Sequence, residues 1–254
     1  KPGLAVILIG SDPASRVYVT NKEKDCAQCG FESREYALAE STTEEEVLSL
    51  IRQLNEDTEV DGILVQLPIP DHINEKHIIE AIHPDKDVDA FHPVNVGRMI
   101  IGEPTLWPCT PAGILEMFRT YGISLSGKNC VMVGRSNIVG KPMALLMLRE
   151  NGTVTICHSR TANLREMTRQ ADILVVAAGH RNLITGDMVK EGAVIIDVAM
   201  NRNPETGKFT GDVVFDEVEP KASYITPVPG GVGPMTRAIL MRNIYTAAES
   251  HLFQ

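Results

Sequence analysis

The chain has 254 residues, 43% of them hydrophobic and 22% charged, with a net charge of −9 at pH 7. That length fits one large domain or two small ones. The acidic balance argues against nucleic-acid binding, which needs clustered Lys and Arg, and no apolar run reaches the ~18 residues of a membrane span. Leu4–Ile9 reads as a buried strand from its length and its Val/Ile/Leu content. Ser11 is placed to cap a helix that starts near Pro13 and ends at Gly30. Ser41-Thr-Thr-Glu44 reads as a capping box for a helix through Leu54. Gly62–Leu67 is the next buried strand, Asn74–Ile82 is helical, and a Pro- and Asp-rich loop runs from His83 to Asn95. This βαβαβ rhythm predicts a parallel sheet covered by helices.

Trp107-Pro-Cys-Thr-Pro111 reads as a crossing between domains, followed by a helix from Ala112 to Tyr121. A second alternating series places strands at Cys130–Val133, Thr153–Cys157, Ile173–Ala177 and Val194–Val198, a Rossmann-like rhythm. A final helix from about Pro234 is expected to return to the first domain. The expected fold class is therefore α/β with two domains. Residues 1–110, completed by about 234–254, form the first, and residues 111–233 the second.

Six groups of residues bear chemistry. Ser15, Tyr18 and Lys22 lie i, i+3, i+7 on the first helix, hence on one face. An aromatic ring and an amine one turn apart could hold a flat heterocycle and deliver a proton. A snorkelling surface lysine is the plain alternative. Gln66 stands at the C-terminal end of a buried strand, where α/β sheets bind ligands, and Lys22 would suit it as a partner. Asp87 and Asp89 stand on the Pro-rich loop.

Val131-Met-Val-Gly134 is an apolar strand entering a turn, Arg135-Ser136-Asn-Ile-Val-Gly140, before Lys141-Pro142 opens a helix. Such a turn suits phosphate, although the spacing is not G-x-G-x-x-G and an ordinary βα turn would look the same. The next strand ends Cys157-His158-Ser159-Arg160-Thr161, with no acid to hold a ribose 2′-hydroxyl. A hydroxyl and cations there suit a 2′-phosphate, which favours NADP over NAD. Solvated loop residues are the bland alternative for His158 and Arg160. In Thr226-Pro-Val-Pro229-Gly230-Gly231-Val-Gly233-Pro-Met-Thr236, prolines stiffen a bare glycine loop just before a helix. A ligand site or a tight strand-to-helix connection would both use it.

Five cysteines, an odd number, do not read as a disulfide framework, so a reducing compartment is expected; a cytoplasmic location is the expectation, with organellar targeting left open. Cys26-Ala-Gln-Cys29 lacks a second pair to complete a zinc site, and no metal is expected. Asn151-Gly-Thr153 matches the glycosylation triplet, but nothing marks the chain as secreted.

Five stretches, in register along the chain, resemble one family. They are Tyr18-Val-Thr-Asn-Lys22, Asp61-Gly-Ile-Leu-Val-Gln-Leu-Pro-Ile-Pro70, Pro84-Asp-Lys-Asp-Val-Asp89, Gly134-Arg-Ser-Asn-Ile-Val-Gly-Lys-Pro142 and Tyr224–Thr236. The family is that of the bifunctional methylenetetrahydrofolate dehydrogenase/methenyltetrahydrofolate cyclohydrolases. The resemblance implies oxidation of 5,10-methylenetetrahydrofolate with NADP, then hydrolysis of the methenyl product to 10-formyltetrahydrofolate. It implies tetrahydrofolate substrates and a homodimer formed through the cofactor domain.

By the same resemblance, Lys22 is the catalytic lysine, Gln66 orients it, and Asp89 grips the pterin. Tyr18 stacks on the folate, beside Ser15, and Pro229, Gly230, Gly231 and Gly233 line the same cleft. Gly134, Arg135, Ser136, Ser159 and Met200 belong to the cofactor site, Arg135 and Ser159 facing the 2′-phosphate. Family members carry about one more helix and strand before Leu4, so an N-terminal segment is expected to be missing. Ala90 and Ala199 replace glycines common in the family; at a positive φ, alanine would cost about 1 kcal/mol.

Three alternatives differ in class. Another two-domain dehydrogenase, of shikimate or amino-acid type, would not need Tyr18, Lys22, Gln66 and Asp89 together. A non-catalytic nucleotide- or folate-binding module would not need Lys22 or Gln66. A dehydrogenase-only member would keep the family and lose one activity.

Overall fold

A strand buried along its whole length, β1 (Gly3–Ile9), organises the first half of the chain. The computed structural model describes residues 1–204 and 206–252. They divide into two compact units, Lys1–Cys109 with the C-terminal segment from Arg237, and Thr110–Thr236. In the first unit, β1 is followed by α1 (Pro13–Cys29), β2 (Glu32–Leu38), α2 (Glu44–Glu56), β3 (Gly62–Val65), α3 (Glu75–Ala81) and α4 (Pro93–Ile101). The sheet is parallel, in the order β2-β1-β3. Ala5, Ile7 and Ile9 of β1 and Ile63 and Val65 of β3 pack with Val47, Ile51 and Leu54 of α2 and Ile78 of α3.

Several local details depart from the expectation, each for a physical reason. The first helix is capped by Asp12, whose carboxylate accepts from Ser15 N at 2.7 Å, and not by Ser11. Pro13 takes the first helical position, so the cap must be residue 12. The capping box is Thr43 with Glu46, two residues later than expected. Ser41-Thr-Thr-Glu-Glu-Glu46 offers competing registers, and the one adopted turns Val47, Ile51 and Leu54 inward. Strand β2 was not located from sequence. It is a sheet edge with alternating exposure, and it takes its order from pairing with β1, Gly3 opposite Glu32 through Ile9 opposite Leu38. Helix α4 begins inside the stretch expected to be a loop. Pro93 at its first position and Gly102 just past its end were the available signals.

In the second unit, α5 (Cys109–Thr120), which begins at the boundary, precedes β4 (Asn129–Val133), α6 (Gly140–Arg149), β5 (Thr153–Cys157), α7 (Leu164–Thr168), β6 (Ile173–Val176) and β7 (Val194–Asp197). Then come β8 (Asn201–Arg202), β9 (Phe209–Thr210), α8 (Phe215–Val218) and β10 (Tyr224–Ile225). Five parallel strands run β10-β7-β6-β4-β5, while β8 and β9 form a small antiparallel pair. The order reverses between β4 and β6, the switch point at which open α/β sheets bind ligands. The last helix, α9 (Val232–Leu252), places most of its length in the first unit. There Arg237 grips Asp25 of α1 bidentately at 2.5 and 2.6 Å, and buried Asn243 donates to Val88 O at 2.8 Å and Trp107 O at 2.7 Å.

Ala90 has φ +59°, the left-handed region, and therefore carries about 1 kcal/mol of strain. Ala199 does not, since positive φ among described non-glycine residues falls only at Ala90, Asn151, Asn163 and Asn182.

Two buried carboxylates order the loops after β6 and β7. Asp197 accepts from the backbone N–H groups of Asp212 at 3.0 Å and Val213 at 2.9 Å. Burial pushes the Asp197 carboxyl up to about 6 from 3.8, with Asp212 adding to the push against the lowering effect of those N–H bonds. An acid whose folded pKa is raised binds more protons in the native state between the two values. Its stabilising contribution is therefore complete below pH 3.8 and is lost as pH rises through 6. A shift of this size corresponds to on the order of 3 kcal/mol. The stability difference between the parent protein and Asp197→Asn should accordingly shift against the parent between pH 4 and 6.5, as read by urea unfolding across that range. A difference independent of pH would contradict this assignment.

Candidate active site

Helix α1 carries Ser15, Val19, Lys22 and Cys26 on one stripe, and Ser15, Val19 and Cys26 are buried. Lys22 therefore projects from the helix face that packs on the sheet, and not from the solvent face. Its ammonium donates to Gln66 Oε1 at 3.1 Å. Gln66 follows β3 directly, and its own N–H donates to Ile7 O at 2.9 Å, continuing the pairing with β1. Its side-chain Nε2 donates to Leu67 O at 2.7 Å, which turns the carboxamide oxygen toward Lys22. Tyr18, one turn from Lys22, is 40% exposed.

Asp89 is the third member of the group. Burial raises its carboxyl above the ordinary range, against the opposing effects of the Lys22 charge and a hydrogen bond with the Cys109 thiol. Asp87 has a different task. It is buried, accepts from His92 N at 2.8 Å and Asn95 Nδ2 at 2.9 Å, and so holds the loop that presents Asp89. Burial raises the Asp87 carboxyl as well.

Sequence reasoning missed Cys109 and Asn243. Burial and Asp89 push the Cys109 thiol well above its usual range. Asn243 Nδ2 lies 3.6 Å from Cys109 Sγ while bonding Val88 O, the carbonyl just before Asp89. A polar residue within the apolar run of the last helix was the only signal for Asn243. Cys26 and Cys29 are both free thiols, one buried and one exposed. Among the described residues no group of three or more His, Cys, Asp or Glu could hold a metal ion. Among them no helix is long and apolar enough to cross a membrane.

The second unit gathers the other residues. Gly134 has φ +128°, and a Cβ there would lie 2.3 Å from Ala177 O, so only glycine fits between β4 and the loop after β6. The Ser136 hydroxyl accepts from Val139 N and Gly140 N at 3.1 and 3.2 Å, which shapes the turn into α6. Arg135, Ser159, Arg160 and Met200 are exposed. After β5 the chain folds into a turn, with His158 N donating to Thr161 Oγ1 at 2.8 Å and no carboxylate among these residues. A bare cradle at Gly134 with exposed Arg135, Ser159 and Arg160 fits a dinucleotide bearing a 2′-phosphate. In the proline–glycine loop, Gly230 has φ +100° and Gly231 has no room for a Cβ, which would meet Pro227 O at 2.6 Å. Pro229, Gly230 and Gly233 are exposed, and the space beside Gly230 and Gly233 is open.

Comparison with known proteins agrees across the whole chain. The catalytic-domain model of the tetrahydrofolate dehydrogenase/cyclohydrolase family matches residues 1–89, and its NAD(P)-binding-domain model matches residues 108–252. The bifunctional protein FolD of Acetivibrio thermocellus is 60% identical over 248 residues, 98% of this chain and 87% of that relative. The crystal structure of the bifunctional FolD methylenetetrahydrofolate dehydrogenase/cyclohydrolase from Campylobacter jejuni superposes with a TM-score of 0.96 at 52% identity, covering 98% of this chain and 88% of that one. The Trypanosoma brucei methylenetetrahydrofolate dehydrogenase-cyclohydrolase, complexed with NADP cofactor and inhibitor, gives 0.96 at 38% identity, covering 100% of this chain and 89% of that one. The stripe that carries Lys22, the strand end that carries Gln66 and the bare turn at Gly134 thus stand in a chain that belongs to the tetrahydrofolate dehydrogenase/cyclohydrolase family.

Proposed function

We propose that this protein oxidises 5,10-methylenetetrahydrofolate to the 5,10-methenyl form with NADP and hydrolyses that product to 10-formyltetrahydrofolate. The observation that carries the reading is the Lys22–Gln66 hydrogen bond beside Asp89. NADP+, held by Gly134, Arg135, Ser136, Ser159 and Met200, supplies a hydride acceptor. Everything else falls to the chain. Asp89 offers a carboxylate to the guanidine-like edge of the pterin, for which a bidentate fit is the strong geometry. Tyr18 offers a half-exposed ring to the flat heterocycle, with Ser15 on the same helix face, and the Pro229–Gly233 loop presents a backbone free of bulk.

Lys22 manages protons at the one-carbon bridge as water adds to the methenyl carbon and the ring opens. Gln66 does not itself transfer a proton; it accepts from the ammonium and fixes where the amine stands. A homodimer and a cytoplasmic location belong to the same reading. The dimer is supported by the open edge of β5, where Ile156 is 44% exposed.

Following methenyl absorbance after mixing the protein with methylenetetrahydrofolate and NADP+ tests the reading. The unmutated protein should form and then consume the methenyl species, and should use NADP+ with a higher kcat/KM than NAD+. Lys22→Met keeps the apolar stem but removes the amine. Hydration should fall by roughly 10²–10⁴ while oxidation persists in part, so methenyltetrahydrofolate should accumulate. Undiminished hydrolysis by folded Lys22→Met protein would refute the role of Lys22.

A further inference from the structure

The segment after β9 brings a second carboxylate, fully buried, to the C-terminal ends of β6 and β7. Asp212 accepts three consecutive backbone N–H groups from the loop after β6: Ala178 at 2.7 Å, Gly179 at 3.0 Å and His180 at 2.7 Å. It also accepts from Nδ2 of Asn201, the first residue of β8, at 2.8 Å; Met200, in the loop after β7, directly precedes it. Three adjacent peptides turned toward one anion leave this loop a single path. The loop also abuts the glycine turn, since Ala177 O is the atom that a Cβ on Gly134 would strike.

The strand order says which part of a dinucleotide these loops face. Arg135 follows β4 and Ser159 follows β5, on one side of the switch point; the loops after β6 and β7 lie on the other. A dinucleotide laid across the switch point with its 2′-phosphate near β5 must put its nicotinamide half toward β6 and β7. We propose that Asp212 is a positioning residue for the nicotinamide half of the cofactor, acting through the segments 178–180 and 200–201. This inference rests on the NADP reading above. Asp212 touches no cofactor atom itself; it is 0% exposed and works by fixing backbone that does.

Calorimetric titration with two ligands separates this role from general structural support. NADP+ carries both halves, and adenosine 2′,5′-bisphosphate carries only the half assigned to Arg135 and Ser159. Asp212→Asn keeps the shape and halves the acceptor capacity. It should weaken NADP+ binding by roughly 10- to 100-fold, the loss expected for charge-assisted bonds to a buried carboxylate, and leave adenosine 2′,5′-bisphosphate affinity unchanged. Asn201→Ala removes one partly exposed donor and should move the same way by a few-fold, which keeps the test open if Asp212→Asn does not fold. Equal losses for both ligands, or unchanged NADP+ affinity in either variant, would overturn the inference. If the unmutated protein bound neither ligand, the NADP reading itself would fall, and the inference with it.

Discussion

The structure of the first unit depends on keeping a lysine on the inward stripe of α1. An ammonium there needs an acceptor, and the carboxamide of Gln66 supplies one at 3.1 Å. The surrounding elements hold the two ends of that bond in place. Asp12 and Pro13 set the register of α1, so that Lys22 faces the strand ends rather than solvent. Pairing to β1 and the bond to Leu67 O fix the amide from the other side. The last helix reaches the same region by the Asp25–Arg237 pair and by Asn243, which holds the carbonyl before Asp89. Helices α1 and α9 are thus both committed to the region of one small group of polar side chains.

Much of this was legible from residue types and spacing. The i, i+3, i+7 placement of Ser15, Tyr18 and Lys22 needs only helical geometry. The position of Gln66 needs only the rule that α/β sheets present function at their strand ends. What stayed hidden has a common cause: it is decided by partners distant in sequence. Strand β2 carries no apolar run because only one of its edges and part of its surface is covered, and β1 supplies its order. Asn243 and Cys109 are ordinary letters within apolar segments until Val88 and Asp89 are brought against them. The Thr43 cap competed with near-identical neighbours, and burial of Val47, Ile51 and Leu54 selected it.

The second unit applies the same economy with opposite charge. Its glycine turn is closely packed at Gly134 and exposed from Arg135 to Asn137, while its carboxylates, Asp197 and Asp212, are withdrawn into the interior to hold loops by their N–H groups. Acid is thereby kept away from the exposed Arg135, Ser159 and Arg160, where an anionic ligand would meet repulsion. The aspartates lie on the same side of the switch point but 15 residues apart in the chain, which is why the strand pattern alone did not single them out.

The central claim is that Lys22 and Gln66 act as one unit in hydrating the methenyl cation. A double-mutant cycle on cyclohydrolase activity tests it most directly, with Lys22→Met, Gln66→Ala and the pair together. If Gln66 acts only through Lys22, the double variant should be no slower than Lys22→Met alone. Effects that multiply, each substitution slowing hydrolysis regardless of the other, would show that Gln66 works independently and would contradict the account.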